Sequence, residues 1–414
     1  MKLIGPFAQL LTMASMPEKG ALKDEQLEIM TNAGILIEGN RIKSVGDFET
    51  LQKQIDSTVE VILLEGKYIV LPSYIDCHTH IAFGGKRAND FALRNAGSSY
   101  LEIAEAGGGI WSTVKNTRAC SQEELKNLTI KRANNLLSQG ITTVEVKSGY
   151  GLSIEEELKS LRAIQAANSE SAVDLIATCL AAHTKPKDFD GSADDYLTEM
   201  SEQLFPILKS ENLCQRIDAF IERSAFSVEE VKPYFMKAKE MGFDITVHAD
   251  QFTTSGSTLA VELDAVSADH LEASGDEEIV NIANSNTVAV ALPAASLGVG
   301  CAFTPARRLL DSGACLAIAT DWNPGSAPMG QLITSASILA TMEKLTNAEV
   351  LAAITYRAAR ALNLADRGKL QEGLLADFVV YDTDNYQDIL YMQGGLQPMA
   401  VWKDGQEVFN AKNY

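Results

Sequence analysis

The sequence predicts an α/β protein built on a (β/α)8 barrel, with a small β-sandwich formed by the two ends of the chain. Short apolar runs alternate with helical patterns through the centre of the 414 residues, which is typical of β-α units sharing a parallel sheet. Eight such strands in roughly 250 residues match the size of a (β/α)8 barrel. The eight runs are residues 69–77, 141–147, 173–181, 217–222, 244–248, 265–268, 287–292 and 315–320.

The two ends of the chain have a different pattern from the centre. Short strand-like runs broken by Gly and Asn fill residues 30–70 and return at 376–382 and 400–409. We therefore expect the ends to meet in one β-sandwich. The predicted organisation is residues 1–70 and 366–414 in the sandwich and 71–365 in the barrel. The long segment between residues 77 and 141 contributes a loop over the site.

Composition excludes several classes of protein. Thirty-five Lys and Arg against 55 Asp and Glu give a net charge of 35 − 55 = −20, which disfavours binding to nucleic acid. The apolar stretch 287–303 is interrupted by Pro and Gly, so we expect no membrane span. No signal peptide is expected, and scattered cysteines without a C-x-x-C pair suit a reducing, cytoplasmic location. The six cysteines are Cys77, Cys120, Cys179, Cys214, Cys301 and Cys315.

All five histidines lie at or just past the end of a predicted strand. In a (β/α)8 barrel that rim carries the active site, so the sequence predicts one shared site. The five are His78, His80, His183, His248 and His270. Any one of them taken alone could equally be structural.

A metal centre is the simplest use of this pattern. His78 and His80 lie two apart in an extended segment, so both imidazoles can face one ion. His248 and Asp321 follow at the ends of later strands. Three His and one Asp, with a position left for water, are typical of a catalytic rather than a structural site. Such a set suits zinc and iron equally.

Several longer motifs identify a family. LPSYIDCHTH at 71–80, the later strand-end His248 and Asp321, and GLLADFVVY at 373–381 resemble the amidohydrolase superfamily. Within it the chain resembles the imidazolonepropionase family, through FGGKRANDFALR at 83–94, YLEIAEAGGGI at 100–110, HADQ at 248–251, KSGYG at 147–151 and DWNPGS at 321–326. The resemblance spans nearly the whole chain, and the last two motifs are far more specific than H-x-H.

The resemblance implies a metal-dependent hydrolase that opens the ring C–N bond of 4-imidazolone-5-propanoate to give N-formimino-L-glutamate in histidine degradation. It assigns His78, His80, His248 and Asp321 to one zinc or iron ion, with the metal's water as nucleophile. Asp321 would shuttle the proton as general base and then general acid. His270 would stabilise the oxyanion or orient the water, or act only as a structural support of the site.

Substrate contacts are also implied by the resemblance. Arg87 would hold the propanoate through its two-pronged guanidinium, although a solvated loop arginine would look the same in sequence. The other implied contacts are Tyr100, Tyr150, His183, Gln251, Asn323, Gly325 and Ser326. Tyr100 and Tyr150 could instead be packing residues, and the last three could form an ordinary turn.

Two positions separate this chain from other superfamily members. Many relatives, deaminases especially, carry Glu where this chain has Gln251, which places the acid–base work on Asp321 and weakens a deaminase assignment. Binuclear members use a carboxylated lysine at the fourth strand, where this chain has Glu222 and Arg223, so we expect one metal. Lys147 is expected to pair with Glu145 or Glu222.

The alternative functions are another cyclic-amide hydrolase or aminohydrolase, or a catalytically silent metal-binding subunit. A homodimer follows from the resemblance and from base rates.

Overall fold

The computed structural model describes residues 1–64, 66–98, 102 and 107–413, and its strands form three sheets. Numbered in chain order, the strands are β1 Lys2–Phe7, β2 Gln9–Leu11, β3 Ile29–Met30, β4 Ala33–Glu38, β5 Arg41–Asp47, β6 Glu60–Leu63, β7 Ile69–Pro72, β8 Tyr74–Asp76, β9 Ile141–Lys147, β10 Asp174–Ala182, β11 Arg216–Phe220, β12 Asp244–Ala249, β13 Ser267–His270, β14 Val288–Ala291, β15 Leu316–Ile318, β16 Phe378–Tyr381, β17 Ala400–Lys403 and β18 Gln406–Asn410.

The helices fall mostly between the strands of the central region. They are α1 Phe48–Gln54, α2 Ala88–Asn95, α3 Ile110–Ala119, α4 Gln122–Ser138, α5 Ile154–Glu170, α6 Ala193–Glu199, α7 Phe205–Ser210, α8 Val228–Glu240, α9 Gly256–Glu262, α10 Asp276–Ala283, α11 Pro293–Val299, α12 Ala306–Asp311, α13 Leu332–Glu343, α14 Asn347–Ala353, α15 Tyr356–Ala361 and α16 Asp388–Tyr391. A π-helical segment, Met200–Leu204, joins α6 to α7, and 3-10 turns occur at Asp24–Gln26 and Ala411–Asn413.

The predicted barrel is confirmed. Strands β8 to β15 lie side by side in chain order, and all of their pairings are parallel. The first and last strands meet just beyond their carboxyl ends: Thr79 bridges to Trp322, and the amide of Asp321 donates to the His78 carbonyl at 3.0 Å. These contacts close the sheet and fix the position of the site.

The first predicted run, 69–77, contains two strands rather than one. Its first half, β7, pairs with β2 and β16 in the sandwich, and its second half, β8, begins the barrel. Ser73 separates the two halves and donates its amide to Asp377 rather than to the barrel. Both halves are buried, so an unbroken apolar run did not reveal the change of sheet.

The predicted sandwich is also present. A four-stranded sheet, β5-β4-β1-β6, faces a six-stranded sheet, β18-β17-β16-β7-β2-β3, which combines strands from both ends of the chain. Their shared core includes Phe7, Ile35, Val70, Phe378 and Trp402. Strand-like patterns in the sequence begin only near residue 30, so β1 and β2 at the N-terminus were not predicted.

Helix starts follow local sequence rules. Ser121 and Ser227 cap α4 and α8 by accepting from the amides of Glu124 and Glu230, whose carboxylates return a bond to the serine amide. This capping box satisfies donors that every helix start otherwise leaves free. The segment 287–303, examined as a membrane candidate, forms β14 and α11. Within the part of the chain that the structure describes, no helix combines the length and apolarity needed to cross a membrane.

We predict that Phe378→Ala destabilises the protein by about 3–5 kcal/mol, because a large buried ring leaves a cavity when it is truncated. The Phe378 ring is 0% exposed and stacks on Trp402 with ring centroids 5.4 Å apart. Tyr391→Ala is the matched control, since that ring is 82% exposed. Urea unfolding followed by circular dichroism checks both. Equal midpoints for the two variants would contradict the assigned sandwich core.

Candidate active site

The barrel rim gathers the five histidines as predicted. His78 and His80 follow β8, His183 follows β10, His248 lies near the end of β12, and His270 ends β13. Their rings form one cluster: the ring centroids of His78 and His248 are 4.6 Å apart, and those of His80 and His183 are 5.6 Å apart. Parallel strands end on the same rim, and this is what brings distant residues together.

Three of these rings form a group suited to a metal. One ring nitrogen from each of His78, His80 and His248 lies within 4.8 Å of the others, and all three side chains are buried. The Nε2 atoms of His80 and His248 are 3.3 Å apart. Asp321 Oδ1 lies 3.3 Å from His80 Nε2 and 3.5 Å from His78 Nε2.

Buried carboxyl groups lie behind two of the imidazoles. Asp269 Oδ2 is 2.6 Å from His78 Nδ1, a hydrogen-bond contact, and Asp218 Oδ2 is 2.9 Å from His248 Nδ1, an ion-pair contact. These contacts engage Nδ1 of each ring and leave the Nε2 atoms for the shared site. Burial raises the pKa of Asp269 to about 7, and the nearby Lys147 ammonium acts against that rise.

The four side chains fit a metal ion. His78 Nε2 and Asp321 Oδ1 are buried and have no hydrogen-bond partner among the described residues. Ligands about 2.0–2.1 Å from one tetrahedral ion lie roughly 3.4 Å apart, which matches the three separations of 3.3–3.5 Å around Asp321 Oδ1 and His80 Nε2.

Asp321 is held in an unusual backbone conformation. Its φ is 51°, in the left-handed region that non-glycine residues seldom adopt, and that of His270 is 86°. Such strain persists only where surrounding structure enforces it, and it is common at functional sites. Burial raises the pKa of Asp321, but contact with His80 and the other imidazoles outweighs this and leaves the pKa below its usual value. The carboxylate is therefore ionised and can accept a proton.

Lys147 lies below the histidines in a polar layer of the barrel interior. Its ammonium is 2.7 Å from Glu145, 2.8 Å from Asp218 and 3.7 Å from Asp269. The expected pairing with Glu145 is thus present. The alternative partner, Glu222, is instead bound to the amides of Phe252 and Thr253 on the loop after β12.

A cavity of about 430 Å³ opens above the histidines. Most of the site residues predicted from sequence line it. These are His80, Arg87, Tyr150, His183, His248, Gln251, His270, Asp321, Asn323, Gly325 and Ser326. His78 lies directly beneath, and Tyr100 lies outside the described residues.

Arg87 is fixed at one edge of this cavity. Its Nε donates to Asp90 at 2.8 Å, and Asp90 also accepts from the Gly109 amide. The guanidinium Nη1 passes so close to Gly325 that a β-carbon there would collide with it. A side chain at 325 would therefore push the guanidinium out of this position. Arg87 lines the cavity, and its Nη atoms donate no hydrogen bond to another described residue.

Arg94 is a cavity residue that the sequence analysis missed. It lines the same wall as Arg87, and its Nη2 donates to the Gly325 carbonyl at 3.3 Å. Both arginines belong to the motif at 83–94, seven residues apart, which is two turns of helix and therefore one face. This seven-residue spacing is the sequence signal from which Arg94 could have been predicted. The apolar cavity residues Ile110, Phe220, Phe252 and Val299 gave no comparable signal.

Tyr150 and His183 lie together beside His80. The Tyr150 ring is buried, with its centroid 5.5 Å from that of His183. His183 Nδ1 donates to the Gly149 carbonyl at 2.9 Å, which leaves Nε2 as an acceptor. Burial, with nearby His80 and His248, lowers the pKa of His183 to about 3, so the ring is neutral at physiological pH.

Asn323 builds the turn that follows Asp321. Its side-chain oxygen accepts from the amides of Gly325 and Ser326 at 2.7 and 2.8 Å. Its side-chain nitrogen donates to the Asp321 carbonyl and to Ser326 Oγ. The amide is thus engaged within the turn, and the turn presents Gly325 and Ser326 to the cavity.

Comparison with known proteins identifies the family of the chain. The model of the amidohydrolase family matches residues 103–409. An imidazolonepropionase of Bdellovibrio bacteriovorus is 40% identical and covers 98% of this chain and 96% of its own length. One from Fusobacterium nucleatum is also 40% identical, over 94% of each chain.

Solved structures share the fold at much lower identity. A triazine hydrolase variant superposes with a TM-score of 0.76 at 18% identity, over 99% of this chain and 94% of its own. An adenosine deaminase of Xanthomonas campestris with bound zinc has a TM-score of 0.71 at 17% identity, over 98% and 92%. These likenesses show the architecture alone. The matched family model and the relatives at 40% identity lead to one conclusion: the chain belongs to the amidohydrolase family and, within it, to the imidazolonepropionases.

Proposed function

We propose that this chain hydrolyses 4-imidazolone-5-propanoate to N-formimino-L-glutamate, using one zinc or iron ion held by His78, His80, His248 and Asp321. The observation that carries the proposal is a single cavity with a metal-suited group of three His at its base, Asp321 Oδ1 3.3–3.5 Å from two of them, and Arg87 on its wall. The substrate's ring amide would lie at the base of the cavity, beside the His group and Asp321. Its carboxylate would lie at the wall, beside Arg87. The full-length relatives at about 40% identity support the same reaction.

Asp321 is the proton-transfer residue of this proposal. An ion at the site would polarise water and lower its pKa toward about 7. The ionised Asp321 carboxylate takes the proton from water as its oxygen adds to the ring carbonyl carbon. When the C–N bond breaks, Asp321 returns that proton to the leaving ring nitrogen. The ring carbonyl carbon becomes a carboxyl group that loses its own proton to solvent.

His183, His270 and Gln251 orient the reacting groups. The Nε2 lone pair of neutral His183 is placed to accept a hydrogen bond from a ring N–H. His270 lies next to His248, with ring centroids 5.3 Å apart, and can donate to the oxyanion that forms at the carbonyl. Gln251 can donate and accept but cannot carry a proton. This set supports hydrolysis over deamination, which needs a titrating group at the Gln251 position.

The propanoate tail is assigned to Arg87. Asp90 binds one edge of the guanidinium, so the Arg87 side chain is already ordered before the substrate binds. It therefore loses little conformational entropy when its other edge contacts the carboxylate. Tyr150 and the Gly325–Ser326 turn complete the wall of the cavity. Tyr100 remains a proposed contact from family resemblance. In a chain of net charge −20, a local cation is needed to attract an anionic substrate.

We also propose that the protein divides into a sandwich of residues 1–70 and 366–414 and a barrel of 71–365. A cytoplasmic location is proposed from the scattered cysteines. A homodimer is proposed from family resemblance, and light scattering of the purified chain would test the stoichiometry.

The first prediction for this site concerns the metal. Dialysis against a chelator should abolish turnover, and one equivalent of zinc or iron per chain should restore it, because the described part of the chain contains one metal-suited group of His, with Asp321 beside it. Elemental analysis measures the metal content per chain, and an ultraviolet assay of substrate decay measures turnover. Two tightly held equivalents that are both needed for activity would contradict the one-ion site.

The second prediction concerns Asp321. Asp321→Asn should lower kcat by at least about 100-fold while some metal is retained, because an amide cannot accept the water proton. Metal content and turnover are measured on the same sample. Near-normal turnover with bound metal would exclude the shuttle role and transfer it to His270.

The third prediction concerns Arg87. A charge-assisted hydrogen bond contributes roughly 1.5–3 kcal/mol, so Arg87→Ala should lower kcat/KM by about 10- to 150-fold. Arg87→Lys should recover only part of this loss, since an ammonium cannot form the planar two-bond contact. Steady-state kinetics measure both variants.

Two controls show whether Arg87 acts on the tail. Lys86→Ala removes an exposed cation next in sequence and should leave kcat/KM unchanged. An imidazolone without the propanoate should react almost equally with wild type and Arg87→Ala. Equal harm to both substrates would show that Arg87 supports the loop or the ring, and Arg94 would then be the first candidate for the tail.

A further inference from the structure

A buried ion network lies directly under the proposed metal site, and no step of the proposed reaction uses it. Lys147, Glu145 and Asp218 are all 0% exposed, and Asp269 joins them from β13. Residues 145 and 147 are two apart in β9, so both side chains point into the barrel. A charged group is rarely buried so deeply without a specific partner.

Lys147 contacts the two carboxylates that hold ligand histidines. Asp218 Oδ2 is 2.8 Å from Lys147 Nζ and 2.9 Å from His248 Nδ1. Asp269 Oδ2 is 3.7 Å from the same ammonium and 2.6 Å from His78 Nδ1. One lysine thus lies behind two imidazoles that reach the site from different strands.

We propose that Lys147 is a positioning residue for the metal site, acting through Asp218 and Asp269. This inference rests on the metal-dependent function proposed above. The ammonium holds both carboxyl groups in place behind their histidines, Asp269 behind His78 and Asp218 behind His248, and the two Nε2 atoms then face the ion. Partners of this kind set the tautomer and orientation of metal-bound histidines.

The contacts explain why a cation is needed here. The Lys147 ammonium lies 2.7 Å from Glu145, 2.8 Å from Asp218 and 3.7 Å from Asp269, whereas the Nε of Arg216 lies 4.0 Å from Glu145. An apolar side chain at 147 would leave Asp218 without this partner, so that its carboxyl group could turn away from His248.

The test measures zinc affinity without any substrate. Lys147→Met replaces the ammonium with an apolar chain of similar length, and we expect it to bind Zn²⁺ about 10- to 100-fold more weakly in competition with a chelating dye. Circular dichroism and urea unfolding establish that the variant is folded. Because the assay needs no turnover, failure of the wild type to hydrolyse 4-imidazolone-5-propanoate would overturn the proposed function without deciding this inference.

Lys403→Met is the matched control. The Lys403 side chain is 9% exposed and pairs with Asp174 and Asp404 at 2.9 and 2.6 Å, far along the chain in the sandwich strand β17. It should cost stability, as Lys147→Met does, and leave zinc affinity unchanged. An equal loss of affinity in both variants would mean that general destabilisation is the cause, and would overturn the proposal.

A double-mutant cycle tests the route of the effect. If Lys147 acts through Asp218, the loss of zinc affinity in Lys147→Met/Asp218→Asn should be smaller than the product of the two single losses. Fully multiplicative losses, or wild-type affinity in a folded Lys147→Met, would overturn the proposal. Lys147→Gln, which keeps a donor, serves if the Met variant does not fold. If neither folds, the lysine is required by the fold itself and the positioning role is withdrawn.

Discussion

Closure of the barrel between its first and last strands is the constraint on which the site depends. The Asp321 amide donates to the His78 carbonyl, and the His80 amide donates to the Trp322 carbonyl, both at 3.0 Å. These two backbone bonds bring residues more than 240 positions apart into contact (321 − 78 = 243) and place Asp321 Oδ1 3.3–3.5 Å from two imidazoles. The left-handed backbone at Asp321 turns the chain from the closing strand into the loop that carries Gly325 and Ser326.

The interior of this barrel contains buried charged side chains as well as apolar ones. A layer of fully buried ions centred on Lys147 takes the place that apolar side chains commonly occupy. Buried ions are costly unless each has a partner, and here the partners continue upward to His78 and His248. The desolvation cost is offset by these contacts. On the proposed metal site, the same side chains would link the stability of the protein to metal binding.

The shared architecture does not decide the chemistry. A triazine hydrolase variant and an adenosine deaminase superpose on this chain at 17–18% identity, so the barrel itself is common to different reactions. The distinguishing residues lie on the rim and its loops: Gln251 after β12, and Arg87 and Arg94 around α2. An amide at 251 removes a titrating group, and two guanidinium groups against Gly325 favour an anionic ligand. Substrate choice is expected to follow from these loops because the strands beneath them mainly hold the metal site.

Local patterns in the sequence determined the strand order, the five rim histidines and the acidic partner Asp321, since each depends on short-range periodicity and on parallel strands ending at one rim. The seven-residue spacing of Arg87 and Arg94 was also available. Only the tertiary structure decided where the run 69–77 changes sheets, because both halves are equally apolar. It alone chose Glu145 over Glu222 as a partner of Lys147 and added Asp218 and Asp269, since burial of a charge is settled by side chains that meet from separate strands.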